Sequence, residues 1–280
     1  MSEPDPSGTK AFGLWSAVFL GVGSMVGAGI FIVIGEAGAI AGNLVSVSFL
    51  LGGAIALVCG YSLSRLAIRY PSRGGIIEYL VQGYGEGFLS GTFGIVFYFA
   101  QLVSIGAVAK SFGTYAATWS TTTASGHIDL LALGILGFFV AINLAGAAVV
   151  ARAENLIVVF KLAALALFTI VALLYIDPSR LSIEEAPGAL DILSALGLTF
   201  FAYQGFSVIT NAVEDMASPG RTVLRAMFLS IGLVGVLYVA VSIAVFGNLP
   251  LQEIIRDRDF ALAEAARPAF GDWGFRIIAA

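Results

Sequence analysis

The chain has 280 residues, of which 59% are hydrophobic and only 11% are charged, with a formal net charge of −4. A soluble domain carries roughly 25% charged residues, so this chain has too little polar surface to cover a water-soluble globule. A single cysteine excludes an internal disulfide framework, and with one histidine we expect no metal centre, no other cofactor and no nucleic-acid partner.

Apolar runs long enough to cross a bilayer recur along the chain and predict an all-α polytopic membrane protein. Seven helices are expected, followed near Asp272 by the start of an eighth, over residues 12–35, 43–68, 87–118, 129–150, 155–176, 191–212 and 223–247. The third run is longer than a bilayer requires and predicts a long, tilted helix. The polar segment 252–268 predicts a small helix outside the membrane.

The distribution of basic residues predicts the orientation. With the N-terminus inside, the predicted inner loops contain Lys10, Arg65, Arg69, Arg73, Arg152, Arg221 and Arg225. The predicted outer loops contain four arginines diluted among acids. This bias agrees with the positive-inside rule. We therefore expect a multi-pass protein of the cell membrane, in contact with the lipid bilayer, with a cytoplasmic tail over residues 1–11.

A cluster of glycines interrupts the first apolar run at Gly21, Gly23, Gly27 and Gly29. Glycine readily leaves helical backbone angles, and irregular backbone at membrane depth occurs where it lines a cavity. The cluster therefore predicts a broken helix whose freed N–H groups bind an anionic group. The alternative is close helix contact through the Gly23/Gly27 pair. We favour the break, because five small residues within seven positions exceed what one contact face needs.

A second irregular stretch, Thr199–Ser207, lies in the sixth run and contains an aromatic cluster interrupted by Ala202 and Gly205. Taken alone, it is typical of core residues. Corresponding interruptions in two halves of a chain, however, point to a transporter site at the midplane of the membrane.

The sequence resembles the amino acid–polyamine–organocation permeases, which have the inverted-repeat fold of the leucine transporter. Four motifs carry the resemblance: Gly27-Ala28-Gly29-Ile30-Phe31, Tyr70-Pro71-Ser72-Arg73-Gly74-Gly75, Ile142-Asn143-Leu144-Ala145-Gly146 and Phe201-Ala202-Tyr203-Gln204-Gly205-Phe206. The resemblance implies that residues 12–177 form a first five-helix repeat, with the first and sixth helices of the fold broken. Residues 178–280 would begin the second repeat, and we expect the sequence to be a fragment or a truncated gene product.

The resemblance also implies a substrate site. The carboxylate of a substrate would meet the N–H groups of Ala28 and Gly29. The ammonium of the same substrate would meet carbonyls near Met25 and in an unwound break of the sixth helix at Phe201–Tyr203. Either Phe201 or Tyr203 would be an aromatic gate. The implied substrate-binding residues are Met25, Gly27, Ala28, Gly29, Ile30, Phe201, Ala202, Tyr203 and Gly205.

Lys161 lies within the fifth predicted helix, where a charged side chain costs about 3 kcal/mol on insertion scales. Burial disfavours the ammonium form, so proton release becomes feasible near neutral pH. In proton-coupled relatives a lysine at this place stands where sodium-coupled relatives bind a cation. The alternative is that Lys161 extends along its aliphatic stem to the inner surface.

Two further features bear on the substrate and on gating. Ser207 stands where many of these permeases carry an acid, and no acid lies deep within an apolar run. We therefore expect a neutral, apolar substrate. Glu214 and Asp215 follow the sixth helix at the predicted inner surface. They are either a gate or structural salt bridge with Arg73 or Arg65, or ordinary solvated charges.

These features predict a secondary active transporter of amino acids or related amines that works by alternating access and couples to protons. An amino acid exchanger and a sodium-coupled symporter are alternatives, as is a non-transporting sensor or partner subunit. A membrane enzyme is disfavoured, because hydrolysis would need a nucleophile–base pair, a metal motif or paired deep aspartates.

Overall fold

A computed structural model describes residues 13–119, 124–144, 147–181, 187–216 and 218–279. The predicted cytoplasmic tail, residues 1–11, lies outside these ranges. The helices of the described chain are α1 (Leu14–Met25), α2 (Ala28–Ala41), α3 (Val45–Arg69), α4 (Gly75–Tyr84), α5 (Phe88–Ala117), α6 (Ser125–Leu144), α7 (Ala147–Leu174), α8 (Ala189–Tyr203), α9 (Val208–Asn211), α10 (Pro219–Asn248), α11 (Leu251–Arg256), α12 (Ala261–Glu264) and α13 (Arg267–Ala279).

The predicted polytopic all-α membrane fold is confirmed. Six segments of the described chain are long and apolar enough to cross a membrane, and one of them, Gly29–Arg69, joins α2 to α3. Counting α1 and α2 as one interrupted crossing gives the seven expected crossings. The eighth is predicted to start within α13, which is kinked at Gly271. Apolar side chains such as Val103 on α5 and Leu130 on α6 stay exposed, as expected of helices that face lipid.

The predicted helix boundaries need several corrections. The first crossing continues to Ala41 instead of ending near residue 35, and α7 begins at Ala147 instead of 155. In α2 the extension passes through Gly35 and Gly38, which contact Arg258 and Phe246 so closely that no side chain fits. These tertiary contacts stabilise a helical stretch whose glycines disfavour helix by themselves. The loop after α3 contains an additional helix, α4.

Helices α3 and α10 form the centre of the bundle. Helix α10 packs against α3, α1 and α7, while α2 packs against α8. The third crossing is long, as predicted: α5 has 30 residues, or about 45 Å of helix against a hydrocarbon core of about 30 Å. The segment predicted outside the membrane forms two short helices, α11 and α12, and both contact α2.

Two ends of the bundle can be distinguished by their arginines. At the Arg73 end lie the C-terminus of α3, the start of α4 and the segment after α9. At the Arg258 end lie the C-termini of α2 and α10 together with α11 and α12. The positive-inside pattern predicts that the Arg73 end is cytoplasmic.

Candidate functional site

The first interruption separates α1 from α2 at Val26 and Gly27. Val26 has φ −76° and ψ 87°, and Gly27 has φ −149° and ψ −145°, so neither residue is helical. The N–H of Gly27 donates to the carbonyl of Met25 at 2.9 Å. Apart from Gly27 and its two chain neighbours, no described atom lies within 4 Å of a Cβ built on Gly27. Gly27 therefore serves the break rather than a close helix contact, and the predicted broken first helix is confirmed.

The second interruption is a 3-10 turn at Gln204–Ser207 between α8 and α9. Substrate-binding carbonyls were expected in a break at 201–203, but these residues are still helical. The interruption begins three residues later than expected, at Gln204. The carbonyl of Phe201 accepts the N–H of Gln204. The prediction of an unwound stretch at 201–203 is therefore wrong, because the irregular backbone lies where Gly205 permits a close approach to α1.

Gly29, just after the first interruption, and Gly205, in the second, each lie against the backbone of a helix end beside the other interruption. A Cβ on Gly29 would lie 2.9 Å from the Cα of Ala202, and a Cβ on Gly205 would lie 2.5 Å from the carbonyl carbon of Ser24. Real Cβ atoms are not found this close to a neighbouring backbone. The two interruptions thus interlock through residues that have no side chain.

Tyr238 of α10 joins the two interruptions by hydrogen bonds. Its fully buried hydroxyl donates to the carbonyl of Met25 at 2.7 Å and shares its proton with the carbonyl of Ala202 at 3.2 Å. Sequence reasoning missed this residue. A signal was present, because a tyrosine in the middle of the apolar run 223–247 needs a partner for its hydroxyl.

Lys161 of α7 reaches the end of α1. Its ammonium donates to the carbonyl of Gly23 at 2.6 Å. Carbonyls at a helix C-terminus carry partial negative charge and favour a cation. One turn earlier on α7, the Val158 side chain would meet a Cβ on Gly23 at 2.8 Å. Gly23 therefore allows α7 to approach closely, and in this conformation Lys161 points to the broken helix rather than to the surface.

A cavity of about 300 Å³ lies beside the interruptions, toward the Arg73 end. Polar, uncharged side chains form much of its wall, and no charged side chain lines it among the described residues. Its lining residues are Ser24, Gly74, Ile76, Phe97, Gln101, Gln204, Gly205, Ser207, Val208 and Asn211.

The predicted substrate-binding residues are placed unevenly around this cavity. Among those whose side chains the structure describes, only Gly205 lines it, whereas the side chains of Met25, Ile30 and Ala202 are buried against other helices. Gly27 and the backbone of Ala28 and Gly29 lie at the first interruption. Binding of a carboxylate by these N–H groups stays a prediction. Of the residues on the wall, Gln101, Gln204 and Asn211 were not predicted.

The two aromatic gate candidates differ. The Tyr203 side chain is fully buried, and its hydroxyl donates to the carbonyl of Phe49 on α3 at 3.0 Å. Its ring also lies 5.1 Å from that of Tyr238. A gating role for Tyr203 is therefore not supported in this conformation, because its ring faces α3 and α10. Phe201 is half-buried and remains the gate candidate.

At the Arg258 end, several contacts hold α2 against its neighbours. Tyr115 of α5 donates its hydroxyl to the carbonyl of Phe31 at 3.3 Å, and Glu36 pairs with Arg258 at 3.4 Å. A Cβ on Gly35 would overlap the carbonyl oxygen of Arg258. These contacts thus join α2 to α5 and to the segment around Arg258 at this end.

The Arg73 end is bridged by exposed ion pairs. The Arg73 guanidinium lies 3.4 Å from Glu214 and 2.8 Å from Asp215. Of the two arginines considered from the sequence, Arg73 is therefore the one that pairs with these acids. All three side chains are at least 44% exposed, and pairs this exposed contribute at most about 1 kcal/mol each. They join the loop before α4 to the segment after α9.

Comparison with known proteins identifies the family. A family model described as "Amino acid permease" matches residues 12–280, almost the whole chain. The chain belongs to the amino acid permease family. This match confirms the family resemblance that was inferred from the sequence motifs. The chain is therefore a member of a family of membrane transport proteins.

Several curated proteins resemble this permease-family chain. An uncharacterised protein of Methanocaldococcus jannaschii is 37% identical over 271 residues, which are 96% of this chain and 62% of the relative. The inner membrane transport protein YbaT of Escherichia coli is 33% identical over 280 residues, 99% of this chain and 65% of the relative. The serine/threonine exchanger SteT of Bacillus subtilis is 27% identical over 286 residues, 99% of this chain and 64% of the relative. The chain thus spans less than two thirds of the length of these relatives.

Proposed function

We propose that this chain provides the substrate pathway of a secondary active transporter for neutral amino acids or related amines, working by alternating access across the cell membrane. The observation that carries the proposal is the pair of interlocked helix interruptions beside an uncharged polar cavity. Interrupted helices at the midplane offer unpaired backbone groups to a ligand while the surrounding protein shields them from lipid. The proposal assigns no chemical conversion of the substrate to the chain.

The first turn of α2 supports binding of a substrate carboxylate. Its N–H groups, starting at Ala28 and Gly29, have no acceptor within the helix, and the positive end of the helix dipole lies there. The carbonyl of Met25 already accepts Tyr238 and Gly27. Ser24, which lines the cavity, is therefore a better candidate to meet the substrate ammonium.

The cavity wall supports a neutral side chain on the substrate. Ser207 lines the cavity at the position where many permeases carry an acid. A buried basic group on the substrate would need a carboxylate partner, and the described wall has none. Gln101 and Gln204 supply amides for an uncharged polar side chain, and Ile76, Phe97 and Val208 supply apolar surface.

The Lys161–Gly23 contact supports proton coupling. A protonated Lys161 donates to the end of α1 as a fixed cation, and its neutral amine would hold this carbonyl less strongly. Loss of the proton would therefore loosen α1 from α7. In this proposal the proton bound to Lys161 takes the role that a sodium ion has in sodium-coupled transporters. Its binding and release shift the position of the broken first helix.

Two relatives whose names specify an amino acid favour the same substrate class and keep one alternative open. SteT is named a serine/threonine exchanger, and another relative at 24% identity, BcaP of Bacillus subtilis, is named a branched-chain amino acid permease. Both names refer to neutral amino acids. Exchange is thus the second candidate function, and it differs from symport only in the need for a counter-substrate.

Uptake into proteoliposomes tests the proposal. The protein, as its host produces it, is reconstituted, and tritiated L-serine, L-leucine and L-lysine are offered with and without an inward proton gradient. We expect saturable accumulation of serine or leucine that needs the gradient and disappears with a protonophore, with little uptake of lysine. The N-terminus is expected to be cytoplasmic, which protease protection of a tagged N-terminus measures.

The other outcomes separate the alternatives. Uptake that occurs only into liposomes preloaded with amino acid identifies an exchanger, and uptake that follows a sodium gradient identifies a sodium symporter. Substrate binding without any flux would contradict the transport proposal and would support a sensor or partner subunit.

A further inference from the structure

Tyr238 connects the two interruptions through one hydroxyl. It lies in the middle of α10, is fully buried, and donates to the carbonyl of Met25 at 2.7 Å and to the carbonyl of Ala202 at 3.2 Å. One of these carbonyls ends α1 and the other lies near the end of α8. A third helix thus holds groups that are 177 residues apart in the sequence, from 25 to 202.

The position of the hydroxyl is fixed by its ring. The ring of Tyr238 lies 5.5 Å from that of Phe49 in a T-shaped arrangement and 5.1 Å from that of Tyr203. Phe49 lies on α3 and Tyr203 on α8, so α10 cannot rotate the hydroxyl away without disturbing both helices. A side chain packed in this way presents its polar atom at a defined point.

Carbonyls released by a helix break need a donor when they are buried. An unsatisfied buried carbonyl costs free energy comparable to a lost hydrogen bond. At the interruptions of a transporter, a substrate ammonium or a cation could supply the missing positive group. Here the neutral hydroxyl of Tyr238 already supplies a hydrogen-bond donor to the carbonyls of Met25 and Ala202.

We infer that Tyr238 is a positioning residue: it ties the two interruptions together and reserves the carbonyls of Met25 and Ala202 for the protein instead of the substrate. The two breaks then change position together during alternating access, because both are bonded to α10. The substrate ammonium is left with groups closer to the cavity, such as Ser24. The inference rests on the proposed transport function for the joint movement and for the effect on the substrate, whereas the hydrogen-bonded tie itself does not depend on it.

Tyr238→Phe directly tests the tie, that is, the hydrogen-bonded connection of the two interruptions through the Tyr238 hydroxyl. It keeps the ring and its aromatic contacts, so the variant retains most of its buried surface, and it removes only the hydroxyl. Tyr115→Phe is the matched control. This variant also loses one buried hydroxyl, which donates to the backbone carbonyl of Phe31 in the wild type. That hydrogen bond does not connect either interruption to α10. Both variants are made in the protein as its host produces it.

Amide hydrogen exchange measures the tie without any substrate. In Tyr238→Phe we expect exchange to rise on the order of 10- to 100-fold in both interruptions, around Gly27 and around Gly205, while the rest of α10 exchanges as in the wild type. In Tyr115→Phe the rise is expected near Phe31 alone. Unchanged exchange in Tyr238→Phe, or a rise in one interruption only, overturns the tie.

Uptake kinetics with tritiated L-serine and L-leucine test the positioning role. We expect Tyr238→Phe to raise KM by on the order of tenfold with a much smaller change in Vmax. A general loss of folded protein would instead lower Vmax at constant KM. An unchanged KM together with raised exchange in both interruptions overturns the positioning role and leaves a purely structural tie. If the wild-type protein takes up no amino acid, the proposed function fails, and hydrogen exchange still decides the tie.

Discussion

The carbonyl group of Ser24 lies directly against Gly205, and no side chain fits between the two. A Cβ at position 205 would approach the carbonyl carbon and oxygen of Ser24 to 2.5 Å each. Both residues line the cavity. The relative position of the two interruptions, and with it the shape of the candidate site, therefore depends on the absence of a single methyl group.

Replacing Gly205 by alanine is expected to abolish most substrate uptake. The methyl group must push the turn at 204–207 away from α1, and a displacement of about 1 Å in a binding site costs on the order of 100-fold in activity. Gly197→Ala on α8 is the control, because no described atom lies within 4 Å of its Cβ. Uptake and thermal unfolding are measured for both variants. Wild-type uptake by Gly205→Ala would contradict the interlocked arrangement.

Lys161→Ala is expected to lose accumulation driven by a proton gradient. The change removes the cation that bonds to the Gly23 carbonyl, a charge-assisted interaction worth about 1.5–3 kcal/mol. Equilibrative uptake or exchange is expected to persist, since the cavity wall does not contain Lys161. Uptake is followed with and without a gradient.

Lys110→Ala serves as the comparison for Lys161. Lys110 forms a partly exposed ion pair with Asp129 between α5 and α6, and loss of such a pair costs at most about 1 kcal/mol. Proton-driven uptake by Lys110→Ala should match that of the wild type. Undiminished proton-driven accumulation by Lys161→Ala would remove the coupling proposal.

Ser207→Glu is expected to shift selectivity toward basic substrates. The new carboxylate enters an uncharged cavity, where it can pair with the ammonium of a lysine side chain and where its burial without a partner is costly. We expect the ratio of lysine to leucine uptake to rise by roughly tenfold or more, as for one charge-assisted hydrogen bond. Competition between the two labelled amino acids measures this ratio. Ser207→Gln has the same length without the charge and should leave lysine excluded.

In Arg73→Gln, we expect the cavity to be accessible from the Arg73 end for a larger fraction of the time. The variant loses the ion pairs to Glu214 and Asp215, which are exposed and hence worth at most about 1 kcal/mol each. For the measurement, Cys59→Ser removes the cysteine of the chain and Ser207→Cys places one in the cavity wall. Adding Arg73→Gln to this starting variant should increase the rate of maleimide labelling at position 207 by roughly threefold to tenfold. Equal labelling rates with and without the substitution would exclude a gating role.

Arg69→Gln is the control for this experiment. Arg69 lies at the same end, contacts the neighbouring Tyr70 and forms no ion pair among the described residues. Its substitution removes a similar positive charge without separating the two segments. We expect its labelling rate to stay close to that of the starting variant.

Local patterns in the sequence were sufficient for much of the fold. Apolar runs predicted the crossings, and glycine clusters marked the first interruption, because the propensity to leave a helix belongs to the residues themselves. The helix α4 was missed, since its ten residues are too few to form an apolar run of membrane length. The exact place of the second interruption was also missed, because it depends on where Gly205 meets α1.

The site required the tertiary structure. The sequence shows four aromatic residues at or next to the second interruption, but it does not tell which face of the helix each one occupies. Tyr203 turned out to face α3, and the polar wall includes Gln101 from a helix about 100 residues earlier in the chain. Contacts over such separations follow from helix arrangement, which no short window of sequence encodes.

By itself, then, the sequence determined the membrane class, the family resemblance, the first break and the unusual lysine in the fifth crossing, because hydrophobicity, charge and glycine content act locally. Only the tertiary structure decided that Gly29 and Gly205 interlock the two breaks, that Lys161 bonds to Gly23, and that Tyr238 spans both interruptions. These relationships arise from buried backbone groups that must find a partner inside the bundle, and the fold alone determines which partner is within reach.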